Sequence, residues 1–309
     1  MARAASRSSV LRTSAYVQSA GARLFYRTMG RGEPLVLLHG GPGADHTDFL
    51  PFLVPLARSF RLVLFDQRGC GRSERLSDRR QYRLDLMVRD LEALRKHLRI
   101  ETWNMLGHSF GGILAQAYAV RHPRRVAALI LAGTASSARA VEADFRRIRR
   151  AQPPHVRSRL DALVRRGIFR SDGTYVPAYA ALSAKILKPY MYARSAPKSP
   201  DPPLSTDVLR EMWSETNDFR ITGNLRGFDF TRALKRLKAP VLVVAGDRDL
   251  VFPATLELTR RSCRRATLVI MSECAHMMFA DQTRFFNELV TSFLREGPRA
   301  ARSVKGRSR

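Results

Sequence analysis

The sequence predicts an α/β fold: a mostly parallel sheet flanked by helices, with a helical cap inserted into it. Three observations carry this prediction. Short apolar runs at 35–38, 62–65, 102–106, 241–245 and 267–270 alternate with helix-patterned stretches, as in a sheet built from crossover connections. Strand signals stop between residues 131 and 237, where helical periodicity takes over. Finally, Ser109, Asp249 and His276 each stand just past the C-terminal end of a strand-like run, the edge where open α/β sheets place their sites. At 309 residues and 45% hydrophobic content the chain is long enough to bury a large core.

The elements follow in order. Two short alternating runs around Gly21, over 14–29, predict an antiparallel hairpin. The run 35–38 leads into His39-Gly40-Gly41-Pro42-Gly43, a glycine-rich turn able to aim the Gly41 N–H at a developing oxyanion. The run 62–65 leads into Asp66-Gln67-Arg68-Gly69-Cys70-Gly71-Arg72-Ser73, whose glycines suit tight turns. Asp66 and Arg68 read as groups that fix this loop by hydrogen bonds. The run 102–106 reaches Gly107-His108-Ser109-Phe110-Gly111 and then a helix over 113–120. Gly-x-Ser-x-Gly between a strand and a helix puts the serine in strained backbone with its hydroxyl projecting, and offers the Phe110 N–H as a second oxyanion donor.

A serine hydroxyl is a poor nucleophile until an imidazole takes its proton. That imidazole needs a carboxylate to set its tautomer and stabilise its charged form. Ser109, an acid after the run 241–245 and His276 supply the set in that chain order. Either Asp247 or Asp249 can be the acid on position alone. In the 135–235 stretch, Val141, Phe145, Ile148 and Gln152 fall on one helical face and Leu160, Leu163 and Val164 mark another. Pro153-Pro154 and a proline-rich segment at 197–203 divide it. The core is thus expected over 14–134 and 236–295, with the cap over 135–235 screening the site from water.

HGGPG at 39–43, DQRGCGRS at 66–73, GHSFGG at 107–112 and GDRD at 246–249 resemble the proline iminopeptidase (prolyl aminopeptidase) family of α/β-hydrolases. The stretch 219–229 resembles the segment leading out of that family's cap, and the likeness covers about 14–295. The resemblance implies an α/β-hydrolase fold and release of an N-terminal proline from a peptide. It selects Asp249 as the triad acid, three residues after the glycine. One amine-binding acid of the family corresponds to Asp218; a second, present in some members, falls on Leu250. Asp207, Glu211, Glu215 and Asp218, interleaved with Trp213 and Phe219, supply candidates for the substrate site. Asp218, Glu215, Trp213 and Phe219 are taken as substrate-binding. Leu250 and the basic cap favour the alternative, a small-molecule carboxylesterase, lactonase or amidase with the same triad. A non-catalytic binding protein on this fold is disfavoured by the intact triad. Epoxide hydrolases and dehalogenases carry a carboxylate where Ser109 stands.

The charge is extreme: 54 Lys and Arg against 27 Asp and Glu, a net of +27. Between Arg139 and Arg170 ten arginines meet three acids, read here as a solvated helix face. No nucleic-acid motif accompanies it, so no specific nucleic-acid partner is expected. Residues 1–13 and 296–309 read as basic disordered tails; the first shares the acid-poor, Arg- and Ser-rich composition of transit peptides. No run approaches a membrane span. Cys70, Cys263 and Cys274 form no disulfide or zinc spacing, and a reduced cytoplasm is the expected location. Neither a metal nor an organic cofactor is implied, and the expected partner is a short peptide or small ester or amide.

Overall fold

The computed structural model describes residues 12–193 and 204–298. The expected tails fall almost wholly outside these residues, as does the whole of the proline-rich segment at 197–203. At the boundaries the structure differs from expectation by a few residues. Arg12 and Thr13 already pair with Met29 and Thr28, and the last helix runs on through Glu296.

Strands β1 (Arg12–Ser19) and β2 (Ala22–Met29) form the hairpin. Strands β3 (Pro34–Leu38), β4 (Arg61–Phe65), β5 (Trp103–His108), β6 (Val126–Ala132), β7 (Val241–Gly246) and β8 (Ala266–Met271) follow. The sheet order is β1-β2-β4-β3-β5-β6-β7-β8, parallel from β4 to β8 and antiparallel over the hairpin. The helices are α1 (Leu84–His97), α2 (Phe110–Arg121), α3 (Ala138–Arg150), α4 (Pro154–Arg166), α5 (Pro177–Met191), α6 (Thr206–Met212), α7 (Pro253–Arg261), α8 (Met278–Asp281) and α9 (Thr283–Glu296).

Period-two alternation sends successive strand residues to opposite faces, and here both faces are covered. Val36, Leu38, Val63, Phe65, Met105, Leu129, Leu131 and Val243 pack on one side with residues of α1, α2 and α3. Leu35, Leu37, Leu62, Leu64, Leu106, Ile130, Leu242 and Val244 pack on the other with residues of α8 and α9. This explains why the central strands read as unbroken apolar runs. The chain passes from β3 to β4 on one side and then crosses back over β3 to β5 on the other, so the crevice between β3 and β5 is the switch point where such sheets hold ligands.

Helices α3 to α6 lie between β6 and β7 in the chain. Val141, Phe145 and Ile148 of α3 are buried, whereas on α4 only Leu160 of its apolar set is fully so. Asp144 joins this region to the core. Its carboxylate accepts the N–H of Phe252, which caps the start of α7, at 3.1 Å, and Arg147 stacks 4.6 Å over the Phe252 ring. No helix among the described residues is long and apolar enough to cross a membrane.

A second tie lies deeper. Arg68, in the loop after β4, donates two bonds of 2.7 Å to Asp90 of α1, and both side chains are fully buried. Burial, only partly offset by the guanidinium, holds the Asp90 carboxyl above its ordinary value. Removing one charge leaves the other buried and uncompensated, so Asp90→Asn is expected to cost about 3–5 kcal/mol in urea unfolding. Arg68→Met with Asp90→Leu should recover much of that loss; a double variant no better than Asp90→Asn would contradict this.

Asp144 gives a pH-dependent prediction. Burial, aided by the nearby Asp249 charge and opposed by bonds from Thr255 and Phe252, pushes its carboxyl up to about 6. The folded state therefore holds this proton more tightly than the unfolded chain, and stability contributed by the protonated form is lost as pH rises through about 6. Asp144→Asn is expected to match the parent near about pH 4 and to exceed it by about 2 kcal/mol near about pH 7. Urea melts at the two pH values measure this, and equal differences at both would contradict it.

Candidate active site

The strand β5 ends at His108 and α2 begins at Phe110, so the turn between them is a single residue, Ser109. This is tighter than the sequence suggested. Its cause is close backbone approach: a Cβ on Gly111 would lie 2.0 Å from the Leu38 carbonyl oxygen, and one on Gly107 would lie 2.3 Å from the Gly111 oxygen. Ser109 adopts φ 53° and ψ −120°, a region that non-glycine residues rarely occupy. Backbone bonds hold it there: its N–H donates to Ala132 at 2.9 Å and its carbonyl accepts the N–H of Gly112 at 2.9 Å. The side chain lines a cavity of about 420 Å³ that also receives Gly41, Phe110 and His276.

His276 follows β8 and is buried. Its Nδ1 lies 2.7 Å from Oδ1 of Asp249, which also accepts the Val251 N–H at 2.9 Å. An acceptor carboxylate at Nδ1 places the ring proton there and leaves Nε2 with the lone pair. Gly133 sits under the pair: a Cβ there would come within 2.9 Å of His276 Nδ1 and 3.0 Å of Asp249 Oδ2. Asp247, the competing acid, instead accepts the N–H groups of Glu273 and Cys274 and so builds the turn that precedes His276. The His276 ring also packs against His108, centroids 4.6 Å apart. Burial, with His276 beside it, holds the His108 imidazole well below its ordinary value.

The loops beneath are fixed by polar bonds. Asp66 accepts the N–H and Nδ1–H of His46 and the N–H of Arg72. Burial would raise its carboxyl, but the His46 and Arg72 bonds outweigh this and leave it lowered. His39 donates Nδ1–H to the Gly40 carbonyl and accepts the Gln67 N–H at Nε2, which ties the HGGPG turn to the DQRG loop. Asp45, His46 and Asp66 lie close enough together to hold a metal ion, but their ligand atoms are largely engaged by these internal donors and by Thr47. Gly41 stands at φ 104°, and Phe110, first residue of α2, has an N–H with no intrahelical acceptor.

The expected substrate residues divide. Trp213 and Asp218 line the cavity, and Leu250 lines it too. Glu215 does not: it is exposed and paired with Arg210 and Arg79. Phe219 is also absent from the lining; it is buried behind, in edge contact with Phe145 at 6.0 Å. Asp218 accepts the Tyr175 hydroxyl at 2.8 Å and the Ser183 hydroxyl at 3.4 Å, while its N–H donates to Tyr179 and its carbonyl accepts the Trp213 indole N–H. Burial raises the Asp218 carboxyl against the pull of these hydroxyls. Sequence reasoning missed Tyr175, Ser183 and Asp144, since nothing local in the cap marks them. It also missed His46, whose partner is 20 residues away.

A profile for the alpha/beta hydrolase fold matches residues 33–283. The chain is 30% identical over 294 residues to a proline iminopeptidase of Clostridioides difficile, covering 91% of this chain and 98% of that one. It is 31% identical over 276 residues to a proline iminopeptidase of Lactiplantibacillus plantarum, covering 85% and 93%. Among solved structures, VinJ superposes with a TM-score of 0.81 at 24% identity, covering 92% of this chain and 98% of that one. The proline iminopeptidase of Mycobacterium smegmatis superposes with a TM-score of 0.77 at 23% identity, covering 94% and 100%. The chain therefore belongs to the α/β hydrolases and, within them, to the proline iminopeptidase family.

Proposed function

We propose that this protein is a serine aminopeptidase that releases an N-terminal proline, or another small residue, from short peptides. The observation that carries this reading is the content of one cavity. It is lined by Ser109, the His276 held by Asp249, and Asp218, whose carboxylate has hydroxyls rather than cations as its side-chain partners among the described residues. A carboxylate kept in an apolar pocket by neutral donors is matched by a substrate ammonium. The relatives named proline iminopeptidase support the same assignment.

In this mechanism Ser109 Oγ attacks the carbonyl carbon of the N-terminal residue while His276 Nε2 takes its proton. Asp249 holds the ring and stabilises the imidazolium. The N–H groups of Gly41 and Phe110 receive the oxyanion. The C–N bond breaks as His276 returns the proton to the leaving amine, and water then releases the acyl group by the same route reversed. Asp218 holds the free amine, with Trp213 against the residue's ring. Burial of the site by the cap keeps this charge interaction strong.

A second reading rests on Leu250. It places an apolar side chain where some family members carry a second acid, among other apolar lining residues such as Val141, Phe145 and Leu209. A cavity so lined suits a neutral ester, lactone or amide.

Comparing a proline arylamide, its N-blocked analogue and a short-chain p-nitrophenyl ester separates the two readings. The aminopeptidase reading expects cleavage confined largely to the free amine, and loss of about 10³-fold or more in Ser109→Ala. Activity kept within about tenfold in that variant would remove Ser109 from the mechanism. Asp218→Asn is expected to raise KM for the free-amine substrate about tenfold or more and to spare the N-blocked ester. An unchanged KM would remove Asp218 as the amine receptor, and serine-dependent ester cleavage without proline release would favour the second reading.

A further inference from the structure

The strands β3 to β8 are parallel, so all their N-terminal ends lie along one edge of the sheet, opposite the edge that carries Ser109, Asp249 and His276. Every connection entering that edge brings an exposed cation: Arg31 before β3, Arg58 before β4, Arg99 before β5, Arg124 before β6, Lys238 before β7, and Arg264 and Arg265 before β8. Among the residues directly preceding these strands (30–33, 58–60, 98–102, 122–125, 237–240 and 262–265) the acids are Glu33 and Glu101, and Arg125 already engages Glu101.

The first and last described residues lie at the same edge. Arg12 opens β1 opposite Met29, and Met29 pairs with Leu62 at the start of β4. At the other end the Pro298 carbonyl accepts the hydroxyl of Thr267, the second residue of β8. Only 7 of the 54 basic residues are lysines, and guanidinium forks match phosphate oxygens in pairs.

We propose that this edge is a docking surface for the phosphate backbone of nucleic acid, bound without regard to sequence. Six parallel strands spaced about 4.8 Å apart make it about 24 Å wide, room for several successive phosphates. A lipid surface is the competing source of phosphate. Among the described residues, none of the exposed large apolar side chains, Tyr16, Val120, Leu204, Leu258 and Ile270, lies in the segments directly preceding these strands, so those segments offer nothing to insert into a bilayer. An acidic polymer held here leaves the cavity on the opposite edge open. This surface is distinct from the arginines of α3 and α4, which belong to the cap.

The test uses the full-length chain and short fluorescent DNA duplexes of two unrelated sequences, read by anisotropy over a salt series. The variant Arg124→Glu/Lys238→Glu/Arg264→Glu alters the edge. The variant Arg146→Glu/Arg150→Glu/Arg165→Glu makes the same change of net charge on the cap. The edge variant is expected to bind about tenfold or more weakly, with a salt slope shallower by about 2–3, while the cap variant loses less than about threefold and both sequences bind alike. Thermal melting checks that each variant folds; should the triple variant melt early, the three single substitutions carry the same comparison. Equal losses in the two variants would overturn the proposal, because net charge alone would then explain binding. So would phosphatidylserine–phosphatidylcholine vesicles binding where the duplexes do not.

Discussion

The close approach of α2 to β3, with a turn of one residue between β5 and α2, is the constraint on which the rest of the site depends. Gly111 lies against the Leu38 carbonyl and Gly107 against Gly111, so no side chain fits at either place. The remaining residue, Ser109, is left in a backbone region that costs about 1–3 kcal/mol, held by bonds to Ala132 and Gly112. That strain sets the serine side chain into the cavity at the switch point of the sheet. It also leaves the first N–H of α2 uncommitted beside the glycine turn after β3. Position and local electrostatics thus arise together from one packing requirement.

The helices between β6 and β7 are bonded to the loops that carry His276 and Asp249. The N–H groups of His276 and Met277 donate to the carbonyls of Tyr190 and Met191 at the end of α5. Asp144 of α3 holds the start of α7, three residues past Asp249. Asp218, in turn, is held by Tyr175 and Tyr179, just ahead of and within α5. The group proposed to choose the substrate and the imidazole proposed to activate the serine therefore share one supporting helix. A shift of α5 would move both.

Much of this was legible in the sequence because it is local. Gly-x-Ser-x-Gly and the glycine turn at 39–43 are fixed by backbone geometry over a few residues, and the central strands betray burial on both faces by their unbroken apolar runs, whereas position alone left Asp247 and Asp249 open and only the family resemblance selected Asp249. What was not legible depends on contacts between distant segments. Asp218 could be nominated by resemblance, yet its hydroxyl partners lie 43 and 35 residues away. Glu215 looked equivalent to Asp218 in sequence; only the fold turns it outward toward Arg79 and Arg210. The basic edge was hidden for the same reason. Its cations are scattered through six connections, and only the parallel topology gathers them.

The central claim is that strain and the His276–Asp249 pair make Ser109 the nucleophile. Fluorophosphonate labelling of the intact protein, followed by mass spectrometry of its peptides, tests this most directly. One adduct per chain on the peptide containing Ser109, abolished in a chain with alanine at that position and much slowed in Asp249→Asn, is the predicted result. Labelling elsewhere, or no labelling of a folded chain, would contradict it.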